Sequence, residues 1–446
     1  MNTSKYELKR LSRYMMIVVL LVVQVACFSY VWFIKYRNIT LIHYRSIGNV
    51  AMIGLYAVLL LVFTYNLGGA KYGLLKRNNI SFSQGMAIVL SNICISFVII
   101  LLTADVLSIG EIFLMTIVQV AFVIGWNALS YKILNQIFPP RKLLLLYDNY
   151  SPEKFENKVR LRNDKYYIAK ICRWQEFQAM LESKELFDYE GVILFDIQAS
   201  ARNRILKKCY YNSVRVYSTI KISDILMKNA EELNLFDTQL ALVREYELTF
   251  EQKIMKRIMD ITISALALVI LSPLMLFTAL CIKCYDGGTV FFTQERYTKN
   301  FKVFKIHKFR SMIMDAEKPG QVIPATDHDP RITPIGRFIR ATRIDELPQL
   351  FDILVGNMSI VGPRPERIEH VDKYCREVPE FGMRLKVKGG LTGYAQVYGK
   401  YNTSAYDKLK LDLSYISNYS LMLDLKIVLL TLRTVFQKES TEGFEE

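Results

Sequence analysis

The stretch ITISALALVILSPLMLFTALCI, residues 261–282, decides how the chain meets a membrane. Its 22 residues carry no charge. As a helix rising about 1.5 Å per residue it would reach roughly 33 Å, enough to cross a hydrocarbon core of about 30 Å. A plain crossing is therefore one reading. At its centre stands Ser272-Pro273. Proline deletes one backbone hydrogen bond and crowds the preceding turn, and a neighbouring serine can satisfy the freed carbonyl, so a sharp bend fits there. Cations crowd both flanks, with Lys253, Lys256 and Arg257 before and Lys283 and a basic stretch after. A hairpin-like helix that dips into the bilayer and returns to the same face satisfies that symmetry as well. The residues leave both readings open.

Upstream lie four more apolar stretches, at roughly 14–34, 48–68, 86–104 and 111–131. Each is near the ~20 residues a crossing needs. The first is too long and uninterrupted for a signal peptide, and no small-residue cleavage pattern follows it. They predict a membrane protein with an α-helical four-helix bundle over 1–138. Lys5, Lys9, Arg10, Arg13, Lys71, Lys76, Arg77, Lys132, Arg141 and Lys142 flank one side, against Lys35, Arg37 and Arg45 on the other. Ten against three places both ends of the bundle in the cytoplasm.

Composition agrees, since 52% apolar with 22% charged residues suits a membrane portion joined to a water-facing one. The formal charge of +15 points to nucleic acid, an anionic membrane surface or phosphate-rich substrates. No recognisable nucleic-acid module accompanies it, which leaves the last two.

Residues 139–245 read as a small soluble domain. Short apolar runs at 142–147 and 192–196 predict buried strands, and 174–186 and 221–235 have helical spacing. This is an α/β pattern with a parallel sheet, Rossmann-like in outline. LLLLYDNYSPEKF, however, lacks the glycines of a dinucleotide loop, so the expected role is structural or regulatory. A helical linker is expected over about 237–258.

Downstream the chemistry-bearing residues crowd together. DGGTVFFTQER (286–296) leads into FKVFKIHKFRSM (301–312), then RITPIGRFIRATRIDELPQLFDILVGNMSIVGPRPE (331–366), KGGLTGYAQVYGK (388–400) and KLKLDLSYISNYSLMLDLKIVLLT from 408. Asp345 and Glu346 follow Arg337, Arg340 and Arg343, and Pro348 suits the first turn of a helix through Leu350, Phe351 and Leu354. The carboxylates would then lie at that helix's positive end, which also attracts phosphate. A helix start with surface salt bridges is the plain alternative for a lone Asp-Glu pair. The crowd of cations weighs against it. Arg364 stands between Pro363 and Pro365, which fix the backbone on either side, and its planar fork suits two phosphate oxygens. Lys308 and Arg310 add charge on what otherwise reads as a solvated strand.

The block from about 253 to 436 resembles the bacterial sugar transferases, the monotopic superfamily of polyprenyl-phosphate phosphoglycosyl transferases. The front of the chain is similar to the larger members, the undecaprenyl-phosphate galactose and glucose phosphotransferases. The resemblance implies an α+β catalytic domain over 246–446 with a re-entrant membrane helix at 259–283, kinked at Ser272 and Pro273. It implies a sugar-1-phosphate transferred from a UDP-sugar to undecaprenyl phosphate, which begins the assembly of a capsule, exopolysaccharide or O-antigen glycan. Asp345 would attack the β-phosphorus, expel UMP and hold the phosphosugar covalently until the lipid phosphate takes it. Glu346 would assist the second step or, with Asp345, hold Mg2+. Lys308, Arg310, Arg340 and Arg364 would bind phosphate, and Gln294, Arg296 and Asp412 are further site positions. The implied setting is the bacterial inner membrane, multi-pass, with catalysis on the cytoplasmic face. A homo-oligomer and downstream glycosyltransferases are further candidate partners.

Two departures stand out. No glycine follows QER, where YTKNFKVF predicts an altered hairpin, and Tyr394 replaces a more usual tryptophan.

Other chemistries are poorly served. Seven irregularly spaced cysteines predict no disulfide framework, and the single CxxC, Cys281 and Cys284, has no second pair or nearby histidine to complete a zinc site. Two alternatives remain to be separated by product: an ordinary glycosyltransferase would release UDP, and a non-catalytic scaffold for polysaccharide assembly would release neither nucleotide.

Overall fold

A computed structural model describes residues 3–40, 46–105, 110–243, 248–314, 316, 329–399 and 403–435. Arg45, counted above for orientation, lies outside the described residues. The chain divides into two compact units, Met1–Thr219 and Ile220–Glu446.

The first unit begins with the helices Thr3–Val31, Ser46–Asn66, Arg77–Thr103 and Gly110–Ile137. The first continues through a π-helical turn, Trp32–Tyr36, to Ile39. These helices cover the four apolar stretches, and each is long and apolar enough to cross a membrane. The first packs on the second and fourth, and the third on the second and fourth. Each buries a narrow stripe, such as Met52, Tyr56, Leu60 and Thr64, and leaves apolar side chains on its other faces. Amide side chains join the buried stripes. Asn92 donates to Gln119 at 2.9 Å, Gln119 to the Tyr56 hydroxyl at 2.9 Å, and Trp32 to Asn49 at 3.0 Å. In an apolar medium such bonds specify which helices pair.

Next come the parallel strands Arg141–Tyr147, Tyr166–Arg173, Gly191–Phe195 and Val216–Ser218, with the second, first, third and fourth side by side in that order. Leu143 to Leu146 are buried on both faces, as in a sheet covered on both sides. The expected α/β pattern is present.

In the second unit the helical expectation over 221–235 holds only for Ile222–Lys228. Glu231–Leu235 and Thr238–Leu242 form an antiparallel hairpin instead, where a helical linker was expected from about 237. Alternating ELNL and TQLAL residues suit a strand, and Phe236 takes a left-handed conformation (φ 57°) in the turn.

The following helix is one element, Phe250–Asp286, opened by a capping box at Thr249 and Gln252 and closed by Gly287 at φ 70°. It runs through Pro273. The hydroxyl of Ser272 donates to the carbonyl of Val269 at 2.8 Å, the acceptor that the absent proline N–H would have used. One face of this long helix is buried along most of its length, through Lys256, Met259, Asp260, Ser264, Met275, Thr278 and Ile282. Val269, Ile270, Leu276 and Phe277 are exposed.

Both ends are tied to the second unit. Near the start, Arg257 donates to the carbonyls of Ile353 and Leu354, and the Asp260 carboxylate accepts from Ser359 and the Ile360 N–H at 3.0 and 2.9 Å. Near the end, Met275 and Ile282 share a core with Phe309 and Ile339, and Asp286 pairs with Arg310.

The hairpin Phe291–Tyr297 and Val303–Phe309 follows, Phe291 facing Phe309 and Tyr297 facing Val303. In its connection Asn300 and Phe301 take left-handed conformations (φ 54° and 57°) that glycine would adopt without strain. The main core joins Phe304 and Ile306 to Leu350, Ile353, Val361 and Val371, and to Leu409 and Ile416 of the helix Ala405–Ser417.

Candidate active site

The segment before the acidic pair is fixed by a close approach. Thr333 caps the helix Pro334–Ala341, accepting from the Gly336 N–H at 2.9 Å, with Pro334 in the first turn. A Cβ on Gly336 would lie 1.9 Å from the Ser311 carbonyl oxygen, so only glycine lets this helix lie against the backbone at Ser311. Ser311 in turn accepts from Arg340 Nε at 2.9 Å.

Arg343 then takes a left-handed conformation, φ 61°, and turns the chain into the 3-10 segment Ile344–Glu346. The helix proper starts at Gln349 and ends at Val355. The acidic pair therefore sits on the tight turn before the helix, with both residues buried.

The two carboxylates have different surroundings. Glu346 is held from two sides: Lys308 Nζ lies 2.8 Å from Oε1, and Arg364 reaches both oxygens, Nη1 at 3.2 Å from Oε2 and Nη2 to Oε1. Burial alone would raise its pKa, but the two cations outweigh that and hold it well below the usual carboxylate value. Asp345 has no hydrogen-bond or ion-pair partner among the described residues. Burial and the neighbouring Glu346 charge push its pKa up, while Lys308, Arg364 and Arg340 oppose that rise. One carboxylate is clamped and its neighbour is open.

Arg364 is itself supported from behind. Arg384 Nε donates to Asp412 at 2.8 Å, and Nη2 donates to the Arg364 carbonyl at 2.9 Å. Asp412 thus acts on the site through Arg384, a residue that sequence reasoning did not single out. Arg296 Nη1 donates to the Pro365 carbonyl at 3.2 Å, and Nη2 to Gln294 at 2.6 Å, so this pair also braces the Pro363–Pro365 turn. Glu366 was missed as well. Burial would raise its pKa, but Lys408 at 2.7 Å, Arg384 and Arg364 draw it down to about 2.

Of the expected phosphate ligands, Lys308, Arg340 and Arg364 converge on the acidic pair, since all three charges act on Asp345. Arg310 is drawn elsewhere: it is ion-paired to Asp286 at the end of the long helix. Gln349 Nε2 and one Arg310 guanidinium nitrogen are buried donors without a partner among the described residues. No group of three metal-binding side chains occurs among the described residues.

The glycines of the later motifs have a physical purpose here. The strands Ser359–Val361 and Gly390–Thr392 run parallel, and a Cβ on Gly390 would meet the Gly362 nitrogen at 2.1 Å. That contact seats the start of the Pro363–Pro365 turn.

A buried acidic pair ringed by cations suits phosphoryl chemistry, and the sequence around it matches one family. The profile described as "Bacterial sugar transferase" matches residues 251–438. A UDP-N-acetylgalactosamine-undecaprenyl-phosphate N-acetylgalactosaminephosphotransferase from Aeromonas hydrophila is 36% identical over 300 residues, 66% of this chain and 67% of that one. The chain belongs to the bacterial sugar transferase family.

Two further relatives frame the match. A UDP-glucose:undecaprenyl-phosphate glucose-1-phosphate transferase from Klebsiella pneumoniae is 39% identical over 228 residues, 49% of this chain and 47% of its own. The exopolysaccharide production protein PSS of Rhizobium leguminosarum bv. phaseoli is 40% identical over 183 residues, 39% of this chain and 92% of its own. This sugar transferase therefore spans two thirds of the first relative, about half of the second and nearly all of the third. The resemblance read from the motifs is thereby supported at the level of the family.

Proposed function

We propose that this protein moves a sugar-1-phosphate from a UDP-sugar to polyprenyl phosphate and releases UMP. The observation that carries the reading is the contrast between the open carboxylate of Asp345 and the clamped carboxylate of Glu346. An oxygen of Asp345 bonds to the β-phosphorus as the bond from that phosphorus to the UMP oxygen breaks. The phosphosugar is then held as an acyl phosphate. An oxygen of the lipid phosphate attacks the same phosphorus, the aspartyl bond breaks, and Asp345 is regenerated. Lys308, Arg340 and Arg364 face charge that accumulates on the phosphate oxygens during both steps. Glu346 keeps Arg364 and Lys308 aligned and lowers their net charge until phosphate arrives.

A magnesium ion fits the donor set, because it is commonly held by one or two carboxylates and substrate phosphates. Asp345 is the open ligand, and Glu346 would join only by releasing Lys308 or Arg364. Such an ion would neutralise charge on the departing UMP.

The first four helices are proposed as a four-helix bundle with both ends in the cytoplasm, followed by the regulatory or structural α/β domain. The long helix is proposed as re-entrant at Ser272-Pro273. A crossing would set Lys256 and Ile282 on opposite sides of the bilayer, yet both are packed into one compact unit. Its apolar outer face would lie among lipid tails and bring Asp345 to the depth of a lipid phosphate. The relatives' names favour a UDP-sugar donor and an undecaprenyl-phosphate acceptor, and one of them names exopolysaccharide production. A place in the bacterial inner membrane at the start of glycan assembly, with catalysis on the cytoplasmic face, rests on the cation flanks of the helices, and homo-oligomers and later glycosyltransferases are proposed partners.

The test is purified full-length protein with undecaprenyl phosphate and a panel of UDP-sugars. UMP release with one donor supports the reading. UDP release would indicate an ordinary glycosyltransferase, and release of neither nucleotide from any donor would favour a scaffold.

A further inference from the structure

The first unit carries a second concentration of cations, far along the sequence from Asp345. Lys9 and Arg13 of the first helix, Arg141 of the first strand and Lys165 line one small pocket together with Tyr131 and Phe138. The ammonium of Lys9 lies 4.9 Å from the centre of the Phe138 ring, and Arg141 Nη1 donates to the Tyr217 hydroxyl at 2.7 Å. The one acid that lines the pocket is engaged elsewhere. Asp164 lines the pocket but is bonded at 3.0 and 3.2 Å to a fifth cation, Arg162. Glu190 is the acid that acts on Lys9, against Arg141, Arg13 and Lys165. Burial, then Arg162, Arg141 and Arg13, lower the pKa of Lys165.

Beside this pocket, on the same pair of helices, runs a shallow apolar groove lined by Leu11, Met15, Met16, Val19, Trp126 and Ile133. Chain neighbours link the two, since Ser12 and Arg13, like Ile133 and Leu134, line one each. Cations at the membrane-proximal ends of helices, continuous with an apolar seam, match an anion that carries a hydrocarbon tail.

We propose that this pocket and groove bind one anionic phospholipid of the surrounding bilayer, its phosphate among Lys9, Arg13, Arg141 and Lys165 and an acyl chain along the helix seam. The bound lipid offsets the repulsion among these cations and so stabilises the junction between the helices and the α/β sheet within the first unit. The site is independent of the transferase chemistry, because it needs neither donor nor Asp345.

The test is native mass spectrometry of the full-length protein in mild detergent, titrated with phosphatidylglycerol and with phosphatidylcholine and no UDP-sugar. Phosphatidylglycerol should bind selectively. Lys9→Gln combined with Lys165→Gln should weaken it by about fivefold for each cation removed. Met15→Trp, which fills the groove and changes no charge, should weaken it too and covers the case in which the charge variant fails to fold. Equal binding of both lipids, or wild-type affinity in folded variants, overturns the proposal. Displacement by inorganic phosphate alone would indicate a simple anion pocket, and preferential retention of undecaprenyl phosphate would indicate an acceptor store; either result overturns the phospholipid assignment.

Discussion

Arg364 grips Glu346 through both guanidinium nitrogens, and the neighbouring carboxylate of Asp345 stays outside that grip. Adjacent acids in one turn thus have opposite surroundings. Arg364 belongs to a turn stiffened by two prolines, so the grip depends on a fork of fixed orientation.

Arg364→Lys keeps the charge and loses the fork. Turnover should fall by roughly a hundredfold, the scale expected when one positioned donor is removed from a developing charge. Steady-state kinetics by UMP release check this, and near-normal kcat would count against the clamp.

The pH dependence follows from Asp345. Its pKa is raised, and the proposed reaction needs the ionised form, so kcat/KM should fall on the acid side at a pH above the ordinary aspartate value of about 3.9. Arg340 is one of the cations that oppose the rise. Arg340→Gln should therefore move the acid limb to higher pH; a limb that stays put or moves down contradicts the assignment. Glu346 is shifted the other way, and its effect is on stability. Its folded pKa is depressed, so its contribution is present above the unfolded glutamate value of about 4.3 and is lost as pH falls through the folded value.

Asp412→Asn should act at a distance. Asp412 and Arg384 are each 1% exposed, and removing one charge of a buried pair costs about 3–5 kcal/mol. Thermal denaturation should show a clear loss of stability. Below the new melting temperature, kcat should fall more than donor KM rises, because the Arg364 carbonyl loses its fixed donor. A stable variant with unchanged kcat would remove Asp412 from the account.

The exposed Cys284, near the end of the long helix, reports topology. In a variant that retains only this cysteine, a membrane-impermeant thiol reagent should label it from the cytoplasmic side. Labelling from outside would mean that the long helix crosses.

The sequence carried much of this site because its motifs are contiguous: Asp345, Glu346 and the Pro363–Pro365 turn lie within one 36-residue stretch. The four upstream helices were legible for a similar reason, since apolar length is a local property. What escaped were partnerships across the chain. Arg384 meets Asp412 28 positions away, and Lys408 meets Glu366 42 positions away. Nothing near Arg384 in sequence signals that it will be buried. The ion pair of Arg310 with Asp286 at the end of the long helix, 24 positions away, was likewise not legible. The 231–242 hairpin was missed because its short runs of leucine between polar residues fit helical and strand spacing almost equally.

Mass spectrometry of the protein incubated with its UDP-sugar donor, and no lipid acceptor, tests the central claim most directly. The account predicts a sugar-phosphate adduct on the peptide containing Asp345, absent from Asp345→Asn and discharged when polyprenyl phosphate is added. UMP release with no adduct on Asp345 at any time, or full turnover by Asp345→Asn, would contradict it.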